Sequence, residues 1–169
     1  RLEAAIEDVG GLSPRQFGFR KARSTTDAVS AVKTIAQKAI EGTRWLYGSK
    51  EYCLVATLDV KNAFNMANWS KILIALDNFH IPRYIRRIVA SYLSDRTLRY
   101  KTDAGVKEYK ITGGVPQGSV LGPLLCNVMC DGVLRLNLPL GSQIVGFADD
   151  IAVVVVAKSL HQAEEACTQ

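Results

Sequence analysis

The sequence has few of the residues that build metal-thiolate sites or disulfide scaffolds. Its 169 residues include four cysteines and two histidines, with no CxxC pair and no histidine at zinc-ligand spacing from a cysteine. Cys126 and Cys130 lie four residues apart in an apolar stretch, which is typical of small buried thiols. The pattern argues against a zinc site and favours a reducing, intracellular setting.

Long apolar runs, internal repeats and flexible linkers are also missing. The longest apolar run, residues 151–157, is far too short to span a bilayer, so we expect no membrane partner. No low-complexity tract or Pro/Gly/Ser-rich linker divides the chain. With 48% hydrophobic and 22% charged residues, the composition is that of a globular protein, and the length fits one domain or a large piece of one.

Acidic residues are outnumbered, and the net charge is +5. That balance favours a polyanionic partner without identifying it. The basic residues cluster near the start of the chain and again along a predicted helix after residue 82. Our candidates for nucleic-acid binding are Arg20, Arg23, Arg83, Arg86 and Arg87. For the three arginines of the helix, the alternative is an ordinary solvated helix face.

Helical periodicity and capping signals are interleaved with short apolar runs. Ser24 with Asp27 predicts a capping box at the start of a helix that ends near Gly42. Residues 52–60 predict a buried strand, and hairpins are predicted at residues 98–112 and 143–157. Because the strands do not follow a regular βαβ rhythm, we predict an α+β fold with helices packed on one face of an antiparallel sheet.

Three aspartates fall at strand ends or in a strand turn. Asp59 ends the first predicted strand, and Asp149 with Asp150 occupies the tight turn of the last hairpin. Adjacent carboxylates repel each other unless a cation neutralises them, and oxygen ligands suit Mg²⁺ or Mn²⁺. Acids are common in hairpin turns, however, so these aspartates alone do not identify a catalytic site.

The segments around these aspartates resemble the motifs of a known enzyme family. Residues 58–65 (LDVKNAFN) resemble the first palm motif of reverse transcriptases, residues 114–125 (GVPQGSVLGPLL) the second, and residues 147–150 (FADD) the metal-binding third. Residues 16–28 (QFGFRKARSTTDA) are similar to the fingers segment of LINE-type, or non-LTR, retrotransposon enzymes. The residues in and around the motifs are most similar to those of insect elements.

The resemblance implies a polymerase right-hand palm that holds two Mg²⁺ or Mn²⁺ ions. Asp59 and Asp149 would bridge both ions, with the carbonyl of Val60 as a further ligand and Asp150 as a secondary ligand or electrostatic support. Two such ions would drive nucleotidyl transfer onto a primer 3′-hydroxyl.

The resemblance also implies a nucleotide site. Phe64 occupies the position of the sugar gate, where a bulky ring excludes a ribose 2′-hydroxyl; its alternative is a core aromatic after a strand. Pro116, Gln117 and Gly118 would form the turn that packs against the incoming nucleotide and template base.

We expect a partial fingers segment at residues 1–51 and the palm at residues 52–169. The chain begins on a short helical stub and ends within a helix, so we expect it to be a fragment without its thumb. Ala22 stands where related fingers segments commonly have glycine, so a positive φ there would be strained. The implied partners are an RNA template, a DNA primer or target and dNTPs, in a cytoplasmic ribonucleoprotein and the nucleus; the oligomeric state stays open.

Three other functions fit part of the pattern. A palm of an RNA-directed RNA polymerase also uses a strand-end acid and a two-acid turn, but needs a polar group where Phe64 stands. A non-catalytic nucleic-acid-binding remnant of a decayed or domesticated element would be expected to lose its carboxylates. A nucleotide-cyclase-like palm would not require the Pro-Gln-Gly turn.

Overall fold

The computed structural model describes residues 1–43, 48 and 50–168. Its elements, in chain order, are α1 Leu2–Asp8, α2 Thr25–Ile40, β1 Tyr52–Asp59, α3 Ala63–Met66, α4 Trp69–Asn78, α5 Arg83–Leu93, β2 Thr97–Thr102, β3 Gly105–Lys110, α6 Gly122–Leu134, β4 Ser142–Phe147, β5 Asp150–Ala157 and α7 Leu160–Thr168. They divide into two compact units, Arg1–Leu12 with Lys61–Gly132 and Ser13–Val60 with Val133–Gln169.

The first unit is mainly helical. Asn68 begins α4 by accepting a hydrogen bond from the Lys71 backbone amide at 3.0 Å, which satisfies a donor that the helix itself cannot. Helices α4 and α5 pack together and carry the apolar core of this unit, whose fully buried members include Ile72, Leu76, Leu93 and Leu125. The strands β2 and β3 form a separate, exposed antiparallel hairpin.

The second unit is built on a three-stranded antiparallel sheet in the order β1-β5-β4. Helices α2 and α7 contact the sheet. A small apolar cluster of Leu134, Ile144 and Ile151 holds the start of the β4–β5 hairpin to the end of α6. The middle strand of this sheet is β5, the second strand of the hairpin that carries the paired aspartates.

The α2 helix begins with the predicted capping box. The Asp27 amide donates to Ser24 Oγ at 3.2 Å, and the Ser24 amide and hydroxyl both donate to Asp27 Oδ2 at 2.7 Å. These hydrogen bonds, from the hydroxyl first and the backbone second, lower the pKa of Asp27. The helix ends at Ile40, close to the predicted end at Gly42.

The predicted α+β class and its antiparallel sheet are confirmed. Both predicted hairpins form; in the first, predicted at residues 98–112, β2 begins at Thr97 and β3 ends at Lys110. The predicted division between fingers and palm at residues 51 and 52 stays a prediction. The continuation of the last helix to Gln169, and residues 44–47 and 49 of the predicted fingers segment, lie outside the described residues.

Two predictions about burial are wrong. The β1 strand is not buried, since its residues from Val55 to Asp59 are exposed. Among the described residues it is an edge strand that pairs with β5 alone, and an open cavity of about 540 Å³ lies between α2 and this end of the sheet. The sequence also predicts Leu136 on the packing face of the helix that follows residues 114–118, but α6 ends at Leu134, so Leu136 lies beyond the helix and is exposed.

None of the helices among the described residues is long and apolar enough to cross a membrane.

Candidate functional site

The strand register of the second unit brings two of the three predicted carboxylates together. Asp59, the last residue of β1, lies directly opposite Asp150, the first residue of β5. Directly opposed residues of an antiparallel pair project to the same face, with Cβ atoms about 4.5–5.5 Å apart, and like charges there destabilise the pair. Both residues are exposed. The sheet therefore concentrates negative charge at one open edge.

Asp149 is held beside this pair by a two-residue turn. Phe147 and Asp150 are register partners, so only Ala148 and Asp149 connect β4 to β5. Ala148 has a φ of 60°, a conformation that costs a residue with a Cβ atom about 1–2 kcal/mol. Something outside the turn must offset that cost.

The offsetting contacts come from the loop before α2. The Ala148 amide donates to Gln16 Oε1 at 3.0 Å, and Gln16 Nε2 donates to the Ala148 carbonyl at 3.4 Å. Gly18 lies so close that a Cβ atom built on it would be 2.1 Å from the Ala148 nitrogen. The turn that carries Asp149 is thus packed against backbone on its outer side.

The chemistry of this donor set fits a hard divalent cation. Asp59, Asp149, Asp150 and the carbonyl of Val60 offer only oxygen, which Mg²⁺ and Mn²⁺ prefer. Val60 directly follows Asp59 and is 38% exposed. In the described part of the chain, however, no group of three or more His, Cys, Asp or Glu side chains is gathered closely enough to hold a metal. The backbone brings these candidate ligands to one edge, and their side chains do not converge on one point.

The two segments that contain the predicted nucleotide-site residues meet in the first unit. The Val115 amide donates to the Phe64 carbonyl and the Gly114 amide to the Ala67 carbonyl, both at 2.7 Å. The Phe64 side chain is half-buried and packs against the core of this unit. Residues 58–65 and 114–125, far apart in sequence, are therefore joined in space through Phe64 and Val115.

The loop after Val115 is a β-turn in the form its sequence favours. The Ser119 amide donates to the Pro116 carbonyl at 3.2 Å, and Gly118 at the third position has a φ of 79°, as a type II turn requires. No heavy atom lies within 4 Å of a Cβ built on Gly118, and Gln117 is exposed. The tip of the turn is open to solvent and to a ligand.

The predicted basic residues fall into two groups. Arg20 donates to the Ser13 carbonyl at 2.8 Å, and Arg23 donates to the Pro14 carbonyl and lies 4.9 Å from the centre of the Phe17 ring. These two half-buried arginines fasten the loop before α2. Arg86 pairs with Asp77, whereas Arg83 and Arg87 are exposed. Their contact with nucleic acid stays a prediction.

The same loop contains Ala22, which has a φ of 56°. The structure therefore has the positive φ that the departure from glycine led us to call strained.

Sequence reasoning missed a role for Gln16. It belongs to the segment that resembles fingers, yet its residue type suggests an exposed loop side chain, and it is 1% exposed. The only signal in the sequence was its place two residues before Gly18 in that segment; the contact with Ala148 spans 132 residues and could not be predicted from either local pattern.

Comparison with known proteins identifies the family of this chain. A family model described as "Reverse transcriptase (RNA-dependent DNA polymerase)" matches residues 1–168. The chain is 30% identical over 169 residues to a Pol polyprotein from the type-1 retrotransposable element R1 of Bradysia coprophila, covering all of the chain and 16% of that protein. It is 33% identical over 162 residues to an RNA-directed DNA polymerase from the mobile element jockey of Drosophila melanogaster, covering 91% of the chain and 17% of that protein.

Solved structures support the fold. Telomerase from Candida tropicalis, in complex with a fragment of telomeric RNA, superposes with a TM-score of 0.71 at 12% identity, covering 99% of this chain and 30% of that one. Telomerase from Candida albicans gives a TM-score of 0.67 at 13% identity. The chain spans about one sixth of the length of the curated relatives it matches.

Proposed function

Because the chain belongs to the reverse transcriptase (RNA-dependent DNA polymerase) family, we propose that it forms the polymerase centre of a non-LTR retrotransposon enzyme. That enzyme adds deoxynucleotides to a primer 3′-hydroxyl by copying RNA. The observation that carries the proposal is the position of Asp59 directly opposite Asp150, with Asp149 in the adjoining two-residue turn. An edge of opposed carboxylates destabilises the protein unless it binds cations.

The carboxylates of this edge have distinct roles in the proposal. Asp59 and Asp149, with the carbonyl of Val60, hold two Mg²⁺ or Mn²⁺ ions, and Asp150 is a secondary ligand or adds negative charge. When bound, the two ions would activate the attacking hydroxyl and neutralise charge on the leaving phosphate oxygen. The exposure of Asp59 and Val60 leaves the edge accessible to a triphosphate.

Phe64 and the turn at residues 116–118 define the nucleotide in this proposal. The ring of Phe64 excludes a ribose 2′-hydroxyl, and Pro116, Gln117 and Gly118 pack against the base. The half-buried state of the ring and the open tip of the turn support these roles.

Phe64→Ala is expected to raise ribonucleotide incorporation about 10-fold or more, measured as the ratio of kcat/KM for dNTP and NTP; an unchanged ratio contradicts the gate.

The proposed partners are an RNA template, a DNA primer or target and dNTPs. The names of the relatives, which include RNA-directed DNA polymerases of mobile elements, support this choice. Exposed Arg83 and Arg87 are the candidates for contact with the nucleic-acid backbone, and the proposed locations are a cytoplasmic ribonucleoprotein and the nucleus.

The direct experiment is primer extension by the full-length protein that carries this chain. An oligo-dT primer on a poly-A template is extended with dTTP while the Mg²⁺ concentration is varied. Asp149→Asn is compared with Asp103→Asn, which changes an exposed aspartate in the turn between β2 and β3. The two variants remove the same charge from a two-residue hairpin turn.

We expect Asp149→Asn to lose extension by on the order of 100- to 1000-fold, because removing one charge-stabilising group from a catalytic site costs about 3–4 kcal/mol. Asp103→Asn should extend at the wild-type rate. Equal extension by wild type and Asp149→Asn, or none by the wild type at any Mg²⁺ or Mn²⁺ concentration, refutes the proposed function.

A further inference from the structure

The turn that carries Asp149 adopts a conformation that its own residues do not favour. Ala148 has a φ of 60°, although glycine is the residue that usually supplies a positive φ in a two-residue hairpin. If the Ala148 peptide were free to rotate, the Asp149 carboxylate that follows it would move with it. The position of Asp149 therefore depends on whatever fixes Ala148.

Gln16 bonds to both backbone polar groups of Ala148. Its Oε1 accepts from the Ala148 amide at 3.0 Å, and its Nε2 donates to the Ala148 carbonyl at 3.4 Å. The same Oε1 accepts from the Gly18 amide at 2.9 Å. Only a carbonyl oxygen can accept from both amides, which fixes the orientation of the side-chain amide.

The Gln16 side chain is itself rigidly placed. It is 1% exposed, so water cannot readily replace its hydrogen bonds. Its backbone lies beside β4: the Gly146 amide donates to the Arg15 carbonyl, and the Phe17 amide donates to the Gly146 carbonyl, both at 2.8 Å. Gly18 lies so close to the Ala148 nitrogen that a Cβ atom on residue 18 would clash with it. The Gln16 side chain thus connects a segment that is hydrogen-bonded to β4 with the strained turn at Ala148.

We infer that Gln16 is a positioning residue of the catalytic centre, which holds Ala148 at positive φ and so aims Asp149 at the metal ions. This inference rests on the proposed function. Gln16 touches neither substrate nor metal in this role; it acts through the backbone of Ala148. Residues that orient metal ligands from behind typically contribute 10- to 100-fold to metal affinity or activity.

The test compares Gln16→Met with Gln143→Met in the full-length protein. Methionine keeps the length of glutamine and loses both hydrogen-bonding atoms. Gln143 lies on β4, the strand that leads into the turn, but its side chain is exposed. Gln16→Glu is the second variant, because it keeps the acceptor oxygen for the Ala148 and Gly18 amides and loses the donor to the Ala148 carbonyl.

Three readouts separate positioning from simple destabilisation. The first is the Mg²⁺ concentration for half-maximal primer extension, measured where denaturant unfolding shows each variant to be fully folded, because partial unfolding would itself weaken apparent metal binding. The second is Mn²⁺ binding measured by electron paramagnetic resonance, without substrate. The third is hydrogen–deuterium exchange of the peptide that contains Ala148 and Asp149.

We expect Gln16→Met to raise the half-maximal Mg²⁺ concentration and the Mn²⁺ dissociation constant about 10-fold or more, and to speed exchange at the turn. Gln16→Glu should fall between Gln16→Met and wild type, and Gln143→Met should match wild type. Unchanged metal affinity and unchanged exchange in Gln16→Met overturn the inference. Should the wild type fail to extend a primer, the proposed function is refuted, while Mn²⁺ binding and exchange still decide whether Gln16 positions the turn.

Discussion

The two hairpins in the described part of the chain have turns of the same composition, one aspartate and one alanine, but different surroundings. In the first unit, Asp103 and Ala104 connect β2 to β3, and in the second, Ala148 and Asp149 connect β4 to β5. The first turn is exposed and is followed by Gly105, whose φ of 110° costs a glycine little. The second places positive φ on an alanine and fixes it with Gln16 and Gly18.

Charge across the strands differs in the same way. On the β2–β3 hairpin, Arg99 lies opposite Glu108 and pairs with it at 2.7 Å, and opposite charges in this position stabilise a sheet. At the other site, Asp59 lies opposite Asp150. An aspartate in a hairpin turn is thus not by itself a site; unfavourable charge and imposed backbone geometry around it are what indicate function.

The largest expected difference is between the two cross-strand charge pairs, Asp59–Asp150 of β1 and β5 and Arg99–Glu108 of β2 and β3. Asp59→Asn should lower the extension rate by on the order of 100- to 1000-fold while raising the metal-free stability by about 0.2–1 kcal/mol, since it removes like-charge repulsion. Glu108→Gln should leave extension unchanged and lower stability by a few tenths of a kcal/mol. Denaturant unfolding without and with Mg²⁺ measures the stabilities. Loss of stability in metal-free Asp59→Asn contradicts the repulsion.

A smaller difference is expected from the two glycines. Gly18→Ala would place a Cβ atom 2.1 Å from the Ala148 nitrogen, whereas Gly105→Ala meets no atom within 4 Å but is strained by its φ. Both should lower stability by about 1–3 kcal/mol, one by overpacking and one by backbone strain. Only Gly18→Ala should also lower primer extension, about 10-fold, when rates are compared at equal folded fractions. Equal residual activity in Gly18→Ala and Gly105→Ala would mean that the close contact of Gly18 with Ala148 contributes nothing to primer extension.

The smallest difference concerns the alanines. Ala148→Gly relieves the positive φ at the cost of chain entropy, so its unfolding free energy should stay level or rise by up to about 1 kcal/mol. Ala104 carries no positive φ, and Ala104→Gly should lose up to about 1 kcal/mol. Thermal unfolding of the two variants in parallel gives the sign. A clear loss in Ala148→Gly would mean that the turn is not strained.

Local signals predicted much of the fold. The capping box at Ser24 and Asp27 involves residues three apart, so sequence spacing specifies it. The exposure of β1 could not be predicted, because a dense apolar run reads as a buried strand whether it lies at the centre or the edge of a sheet. Strand order, not composition, decides how much of Val55 and Leu58 is covered.

The candidate site divides along the same line. The three aspartates stand at strand ends that periodicity could locate, but the pairing of Asp59 with Asp150 depends on a register between strands about ninety residues apart. The role of Gln16 could not be predicted, because a buried glutamine in a loop has no local sequence signature and its partner is the distant backbone of Ala148.

The proposed polymerase centre requires Asp59 and Asp149 to share divalent metals. Anomalous diffraction from crystals of the full-length protein with primer–template, dNTP and Mn²⁺ measures this directly. We predict two manganese peaks about 3.5–4 Å apart, with oxygens of both aspartates as ligands and the Val60 carbonyl bound to one of the ions. Manganese bound elsewhere, or bound to neither aspartate while the nucleotide is in place, would contradict the account.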